Sequence, residues 1–309
     1  MIKLKVGMEV HAQLLTKSKL FCDCPVVYDA PPNTCICPIC MGHPGTLPNL
    51  NKKAVELAIK AALALNCEIQ PISIFARKNY FYPDLPKGYQ ITQYDKPLAI
   101  NGYLDIRGKR IRIRRVHLEE ESGKLIHMGN RTLVDFNRCG IPLIEIVTEP
   151  DIESPEEAQE YLIKLRQILR YIKVCGGDME KGQLRCEPNL SVEVNGKTSP
   201  KFEIKNLNSI KAVARALEYE KNRIAHKLLR GERLYQTTLG WDDIKGVTFE
   251  MREKETSADY RYFPEPDIPP LVIDHEWVEE IKNSMEELPD AKLNRFINQY
   301  GLREYDAKI

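Results

Sequence analysis

No run of apolar residues in the chain reaches the roughly 20 that a bilayer span requires. The start, Met1-Ile2-Lys3-Leu4-Lys5, has no long apolar stretch behind its charges, so it does not read as a secretory signal. Net charge is nearly absent, at +1 from 45 Lys and Arg against 44 Asp and Glu. No molecule-wide field recruits nucleic acid, and any RNA contact has to use local patches. Gly-x-x-x-x-Gly-Lys-Ser/Thr does not occur, which excludes a P-loop as the means of holding a nucleotide. No Ser/Lys constellation for nucleophilic hydrolysis of an amide emerges either. What is abundant is core material. Hydrophobic residues make up 43% of 309, enough for a sizeable core and about two domains.

Cysteine is the next signal. Five of the nine crowd between Cys22 and Cys40, and the others are scattered singly. This favours a metal site in a reducing, cytoplasmic setting over a disulfide framework. Cys22-Asp23-Cys24 and Cys37-Pro38-Ile39-Cys40 are separated by twelve residues. Each pair sits on a tight turn that points two thiolates at one ion, and two turns complete a tetrahedron. The expected zinc ligands are Cys22, Cys24, Cys37 and Cys40, with Cys35 and His43 as alternatives. Four thiolates close the coordination shell, so this zinc is expected to be structural. It would pin a loop, near 21–48, that is rich in Pro and Gly and has little to pack with by itself.

Three apolar strands each carry acid. In the first, Ile2, Leu4, Val6, Met8 and Val10 alternate with a polar face that ends in Glu9 and His11. In Val116 to Lys124, strand alternation puts Val116, Leu118 and Glu120 on one face and His117, Glu119 and Glu121 on the other. By itself that run reads equally well as a solvated acidic turn. In the third, Glu145 lies inside Ile141-Pro142-Leu143-Ile144-Glu145-Ile146-Val147. A carboxylate inside a buried strand has either to stay protonated or to meet a cation.

The remaining pattern is helices, hairpins and shaped loops. Asn51 caps a helix to about Asn66, and Ser154-Pro155-Glu156-Glu157 opens another to about Tyr171. A third runs from Ser209 to Arg230, and two more lie near 276–285 and 290–300. Residues 103–118 form a hairpin turned at Arg107-Gly108-Lys109, and Arg110, Arg112 and Arg114 share one face of its return strand. That face reads as a solvated edge or as a phosphate-tracking strip. A second hairpin turns at Asn195-Gly196. Residues 77–90, with four aromatics and two prolines, read as a rigid loop suited to stacking and phosphate contact, as does Ser257 to Asp267. The start of the third helix, with Lys205 and Ser209, reads as ordinary capping or as a phosphate cradle. The expected fold class is α+β: antiparallel sheets and hairpins forming a cradle-like body, with flanking helices and the zinc-pinned loop.

Taken together, Gly7-Met8-Glu9-Val10-His11, the two cysteine pairs, Asn79 to Gln90, His117-Leu118-Glu119-Glu120, Asp135-Phe136-Asn137-Arg138, Pro142 to Val147, Lys205 to Ser209 and Asp259 to Asp267 resemble the B subunits of the GatCAB tRNA amidotransferases. The resemblance implies a catalytic cradle over 1–290. Residues 291–309 would be the start of a helical domain whose remainder, with a small tail domain, is absent here. It implies ATP-dependent phosphorylation of the side-chain carboxylate on misacylated Glu-tRNA(Gln) or Asp-tRNA(Asn), then amidation with ammonia. The ammonia would come from a glutaminase-type A subunit, and a small C subunit would complete a heterotrimer. It also implies a magnesium held by Glu9, His11, Glu120 and Glu145, with Glu119 competing with Glu120. Asn79, Tyr82, Arg185, Lys205, Asn206 and Ser209 are expected at the nucleotide or the CCA end. Two other readings stand beside this one: a non-catalytic zinc-containing RNA-binding module, and a metal-dependent phosphohydrolase using the Glu/His set.

Overall fold

The structure is a computed structural model, and it describes residues 2–106, 108–253 and 260–307. The expected turn residue Arg107, the segment Ser257 to Asp259, and Lys308 and Ile309 lie outside the described residues. The elements, in chain order, begin with β1 (Ile2–Gln13), α1 (Lys52–Ala64), β2 (Glu68–Ile69), β3 (Ile72–Ser73), β4 (Phe75–Asn79) and β5 (Tyr89–Gln93). Then come β6 (Ala99–Ile106), β7 (Lys109–Glu120), β8 (Lys124–Met128), β9 (Arg131–Asp135), β10 (Pro142–Thr148) and α2 (Pro155–Tyr171). They continue with β11 (Leu184–Val194), β12 (Lys197–Thr198), β13 (Phe202–Lys205), α3 (Ile210–Leu229), β14 (Thr237–Asp242) and β15 (Val247–Glu253). The last are β16 (Phe263–Pro264), β17 (Leu271–Val272), α4 (His275–Asn283), α5 (Pro289–Tyr300) and α6 (Glu304–Ala307).

A single ten-stranded sheet organises the molecule, in the order β15-β14-β13-β11-β1-β10-β7-β6-β2, with β12 paired to β11. All its pairings are antiparallel except β13 with β14. The class is α+β, as the patterning predicts, and the one parallel pair is an addition. On one face, Leu4, Val6, Met8, Val10, Leu118, Ile144, Ile146, Leu190 and Val192 are buried under helices. Of these helices, α1 packs on β6 and β7, α2 on β6 and α3, and α3 on β11. Their apolar stripes are the reason: Ala158, Tyr161, Leu162, Leu165, Ile168 and Leu169 of α2 are all buried. The caps set the starts. Asn51 Oδ1 accepts from Lys53 N and Ala54 N, at 2.9 and 3.3 Å. Ser154 Oγ accepts from Glu157 N at 3.1 Å, while the Glu157 carboxylate reaches past the cap to Glu153 N at 2.8 Å. No helix among the described residues is long and apolar enough to cross a membrane.

Sheet order changes the reading of the arginine strip. Strand β7 is interior, between β6 and β10, so it is no edge. The three arginines of the strip are already paired, each in a fork: Arg110 with Asp105, Arg112 with Asp151 and Arg114 with Glu149, all within 3.3 Å. Expected phosphate contacts are thus ion pairs within the fold. Pairing between β7 and β10 also slips: Val147 faces Arg115 but Thr148 faces Ile113. This bulge at Arg114 reverses the alternation, so that Ile111 and Ile113 stay in the core while Arg115 and His117 turn to the other face. The predicted loop over 77–90 is shorter than expected. Arg77 to Asn79 and Tyr89 to Gln90 pair as strands β4 and β5, because cross-strand hydrogen bonds satisfy a backbone whose side chains carry no strand period. The turn at Asn195-Gly196 is as read, with both residues at positive φ, 51° and 78°.

Candidate active site

The face of the sheet away from the helices is polar, and residues paired across adjacent strands make it so. His117 lies opposite Glu145, Glu145 opposite His11, and His11 opposite Arg185. One row across four strands is therefore imidazole, carboxylate, imidazole, guanidinium. Glu119 stands one alternation further along β7. These residues, with Glu9, Glu187, Glu203 and Lys205, floor a cavity of about 350 Å³. Its walls come from Lys78 on β4, Gln90, Thr92 and Gln93 on β5, and the aromatic residues Tyr94, Tyr260 and Tyr262.

Side-chain contacts define a tight centre. His11 Nε2 is 3.2 Å from Glu119 and 3.7 Å from Glu145, and His117 Nε2 is 3.1 Å from Glu145. Burial opposes charge on Glu145, but His117, then His11 and Lys78, outweigh it and hold the carboxyl well below the usual range. Of the two outcomes open to a carboxylate in a buried strand, the surroundings favour the second: the charged form of Glu145 faces His117, His11 and Lys78. Burial likewise opposes charge on His11, yet Glu119 first and then Glu145 and Glu187 push it up to about 9. Burial and the neighbouring carboxylates Glu145, Glu187 and Glu203 raise Glu9.

The structure brings together only part of the expected magnesium set. His11, Glu119 and Glu145 each offer a ligand atom within 4.8 Å of the others. Glu120 does not join them. It projects from the opposite face of β7, where Lys87 Nζ meets it at 2.5 and 2.6 Å and Ile91 N donates to it at 2.9 Å. Strand alternation is the cause, since adjacent residues face opposite ways, and Glu119 occupies the place expected for Glu120. Glu9 instead groups with Glu187 and Glu203. That second group is partly neutralised by Lys205, 2.6 Å from Glu187 and 3.1 Å from Glu203. The first fits a hard divalent cation: two carboxylates supply oxygen, while one imidazole is equally at home on manganese.

Among the other expected residues, Arg185 and Lys205 line the cavity. Asn79 is taken up by the fold, donating to the carbonyls of Tyr260 and Arg261 at 3.2 and 2.8 Å. Tyr82 stands more than half exposed beside Phe81 on the 80–88 loop. Asn206 is exposed at a left-handed turn, φ 64°. Ser209 caps α3 through Ala212 N at 3.0 Å and faces a different cavity, with Gly176, Gly177 and Arg170. Lys78 is the residue the sequence reading missed. Burial disfavours its charge, but Glu119, Tyr262 and Glu145 more than compensate and raise it. Strand β4 gave no periodic signal to place it.

Arg185 is held from behind. Its guanidinium forks onto Glu121 at 2.5 and 3.0 Å, and Gln13 Nε2 donates to the same carboxylate at 3.2 Å. Burial opposes the Glu121 charge, but Arg185 and Arg138 override it and depress the carboxyl below its ordinary 4.5. A depressed folded value stabilises above the unfolded value and is lost as pH falls through the folded one. Glu121→Gln is expected to cost about 3 kcal/mol at neutral pH, the low end for breaking a buried pair because Arg185 keeps some solvent contact. Urea unfolding at pH 7 and pH 3 checks this, since the deficit should shrink in acid.

The four cysteines expected to form a metal knuckle also converge. Cys22, Cys24, Cys37 and Cys40 bring four sulfurs within 4.8 Å of one another, while Cys35 donates its backbone N–H to Asn137. Cys37 N donates to Cys40 Sγ at 3.2 Å, and the fully buried Lys19 places Nζ 3.6 Å from it. The hydrogen bond from Cys22, with the Cys37 amide and Lys19 against the cost of burial, lowers the Cys40 thiol to about 4. Four convergent sulfurs with donors around one of them suit a soft or borderline metal. Gly42, at φ 68°, lies against Lys87, and a Cβ there would strike that side chain. The knuckle thereby packs on the residue that grips Glu120.

A polar sheet face carrying His and carboxylate groups that could hold a cation, beside four convergent cysteines, marks this cleft as the candidate functional site. Residues 4–279 match the family described as the GatB/GatE catalytic domain, and the chain belongs to that family. It is 56% identical to the B subunit of the aspartyl/glutamyl-tRNA(Asn/Gln) amidotransferase of Thermotoga maritima, over 98% of this chain and 66% of that protein. For the protein of the same description from Thermosipho melanesiensis the identity is 58%, and for that from Thermodesulfovibrio yellowstonii it is 56%, with the same coverage. The chain thus spans just under two thirds of the length of these relatives.

Proposed function

We propose that the chain is the catalytic part of the B subunit of a tRNA-dependent amidotransferase. Its reaction is phosphorylation by ATP of the side-chain carboxylate on Glu-tRNA(Gln) or Asp-tRNA(Asn), followed by displacement of phosphate by ammonia. The observation that carries this is the convergence of His11, Glu119 and Glu145 beside Lys78 and Arg185, in a cleft of the family whose relatives bear that description. A carboxylate is a poor electrophile, and phosphorylation supplies its leaving group. His11, Glu119 and Glu145 would hold a magnesium, which when bound neutralises charge on a transferring phosphoryl group. Lys78 and Arg185 bind and orient the anionic groups, and Glu121 and Gln13 keep the Arg185 fork aimed. Tyr94, Tyr260 and Tyr262 wall the cleft on one side. Cys22, Cys24, Cys37 and Cys40 would hold zinc as a structural brace.

Ammonia comes from a glutaminase-type A subunit, with a small C subunit completing a cytoplasmic heterotrimer. We assign residues 1–290 to the catalytic body and 291–309 to a separate helical segment. The test is ADP release from ATP by the assembled complex, with and without glutamyl-tRNA(Gln). We expect release that requires the charged tRNA. Release indifferent to it would leave a phosphohydrolase and end the transamidation reading.

A further inference from the structure

Lys19 is a lysine wholly enclosed by protein, with none of its surface reaching solvent. Its ammonium carries three N–H donors and no acceptor. Among the described residues, Nζ meets Cys40 Sγ at 3.6 Å and the Phe136 carbonyl at 3.5 Å, and no carboxylate lies within ion-pair distance of it. Lys87 lines the same small cavity and is also buried, but Glu120 grips it. A buried ammonium with no counter-charge is among the costliest groups a core can hold. The backbone nevertheless fixes Lys19 in this position. Lys19 N donates to Cys24 O at 3.0 Å, and Lys19 O accepts from Asn51 Nδ2 at 3.1 Å. Gly140 closes over the stem, where a Cβ would stand 3.4 Å from Lys19 Cδ and 3.6 Å from Cys40 Cβ.

The cysteine centre has the opposite excess. Four thiolates around one divalent ion leave about two negative charges on the cluster. Low-dielectric surroundings make that excess costly too. N–H donors aimed at sulfur lower it, and two converge on Cys40: the Cys37 amide at 3.2 Å and Lys19 Nζ. Of these two, only Lys19 brings a full positive charge.

We propose that Lys19 is the counter-ion of the cysteine centre. Its ammonium offsets negative charge on the metal-loaded sulfurs and so favours retention of the ion. It is a positioning group and not a ligand. This rests on the reading of Cys22, Cys24, Cys37 and Cys40 as a zinc site. Through the Phe136 carbonyl the same ammonium ties the knuckle to the turn after β9, where Arg138 holds the carbonyls of Ser122 and Gly123 at 3.0 and 2.6 Å.

Lys19→Met removes the charge and keeps the length of the side chain. Lys19→Gln, neutral but polar, is the second variant. Both are compared with wild type in the assembled complex, with excess magnesium to keep the oxygen ligands of the cleft occupied. The probes are zinc(II), and cobalt(II) as its spectroscopic substitute. The Kd for zinc, from competition with a chromophoric chelator, is expected to rise about tenfold or more, the scale of removing a group that supports metal ligands. The sulfur-to-cobalt charge-transfer band is expected to move to longer wavelength, because thiolates without the ammonium hold their electrons less tightly. A lysine that only fills space could weaken binding when replaced but would leave the band where it is. An unmoved band or an unchanged Kd in either folded variant therefore overturns the proposal. Wild type separates the two levels of the argument. If it binds no zinc at the cysteines, the zinc reading has failed; if it binds zinc and the variants match it, only the role of Lys19 has.

Discussion

Glu145→Gln is expected to lower tRNA-dependent ADP release by at least ~10³-fold, the scale of removing preorganised charge from a phosphoryl-transfer site. The substitution retains shape and an oxygen within reach of His117. It removes the negative charge that both imidazoles and Lys78 support. The fold should tolerate this, because the amide keeps the side chain's size and its hydrogen-bonding capacity toward the two imidazoles. The melting temperature is therefore expected to stay within a few degrees of wild type. Glu119→Gln is the companion variant and should behave alike, since Glu119 completes the same ligand group. Wild-type turnover in Glu145→Gln would sink the assignment of the centre to this row of the sheet. Loss of turnover together with a collapsed melting temperature would mean that the carboxylate is needed for the fold, and the site assignment would lose its support.

How much of this was legible beforehand depends on whether a residue sits on an element with a period. The first strand, the helix of residues 155–171 and the hairpin at Asn195-Gly196 were readable because burial on one face stamps a period on the sequence. The same logic put His11 and Glu145 in the cleft. It also held the answer for the acidic run, since alternation grouped Glu119 with His117 and Glu121, and Glu120 with Val116 and Leu118. The structure follows that grouping, whereas the expectation taken from the resemblance chose Glu120.

What was not legible depends on pairing between distant strands. Nothing in residues 77–80 signals that Lys78 enters a cavity floored by β1 and β10. Its place follows from β4 pairing with β5, and from β5 lying against β7. The arginines of β7 looked unpartnered because Glu149 and Asp151 lie beyond the end of β10, far along the chain. The bulge at Arg114 is invisible for the same reason, because it exists only relative to β10. Asn79 and Ser209 carried polar groups that the sequence made available to a ligand, and backbone groups of the fold had already engaged them.

Cys37→Ser is expected to abolish metal binding at the knuckle and to loosen residues 21–48. Four sulfurs within 4.8 Å of each other are stable only with a cation among them or with protons on most of them. Hydrogen bonds from Cys22 and the Cys37 amide, with Lys19 nearby, favour the thiolate at Cys40, while burial and the neighbouring sulfurs keep Cys22 and Cys24 protonated without a cation. Structural zinc is worth about 10–16 kcal/mol where a small fold depends on it entirely. Here the loop also has packing of its own, through Phe21 on Phe75 and through Gly42 against Lys87. The loss should therefore appear as local opening before global unfolding. Metal analysis should fall from one zinc per chain to none, and amide exchange over 21–48 should quicken ahead of the sheet. The melting temperature is expected to drop by several degrees. The disturbance should also reach Lys87, and through it the end of β7 that carries Glu119, so activity should fall even though no cysteine lines the cleft. An unchanged melting temperature with full zinc content would show that another side chain completes the shell, and His43 would then be the residue to replace next.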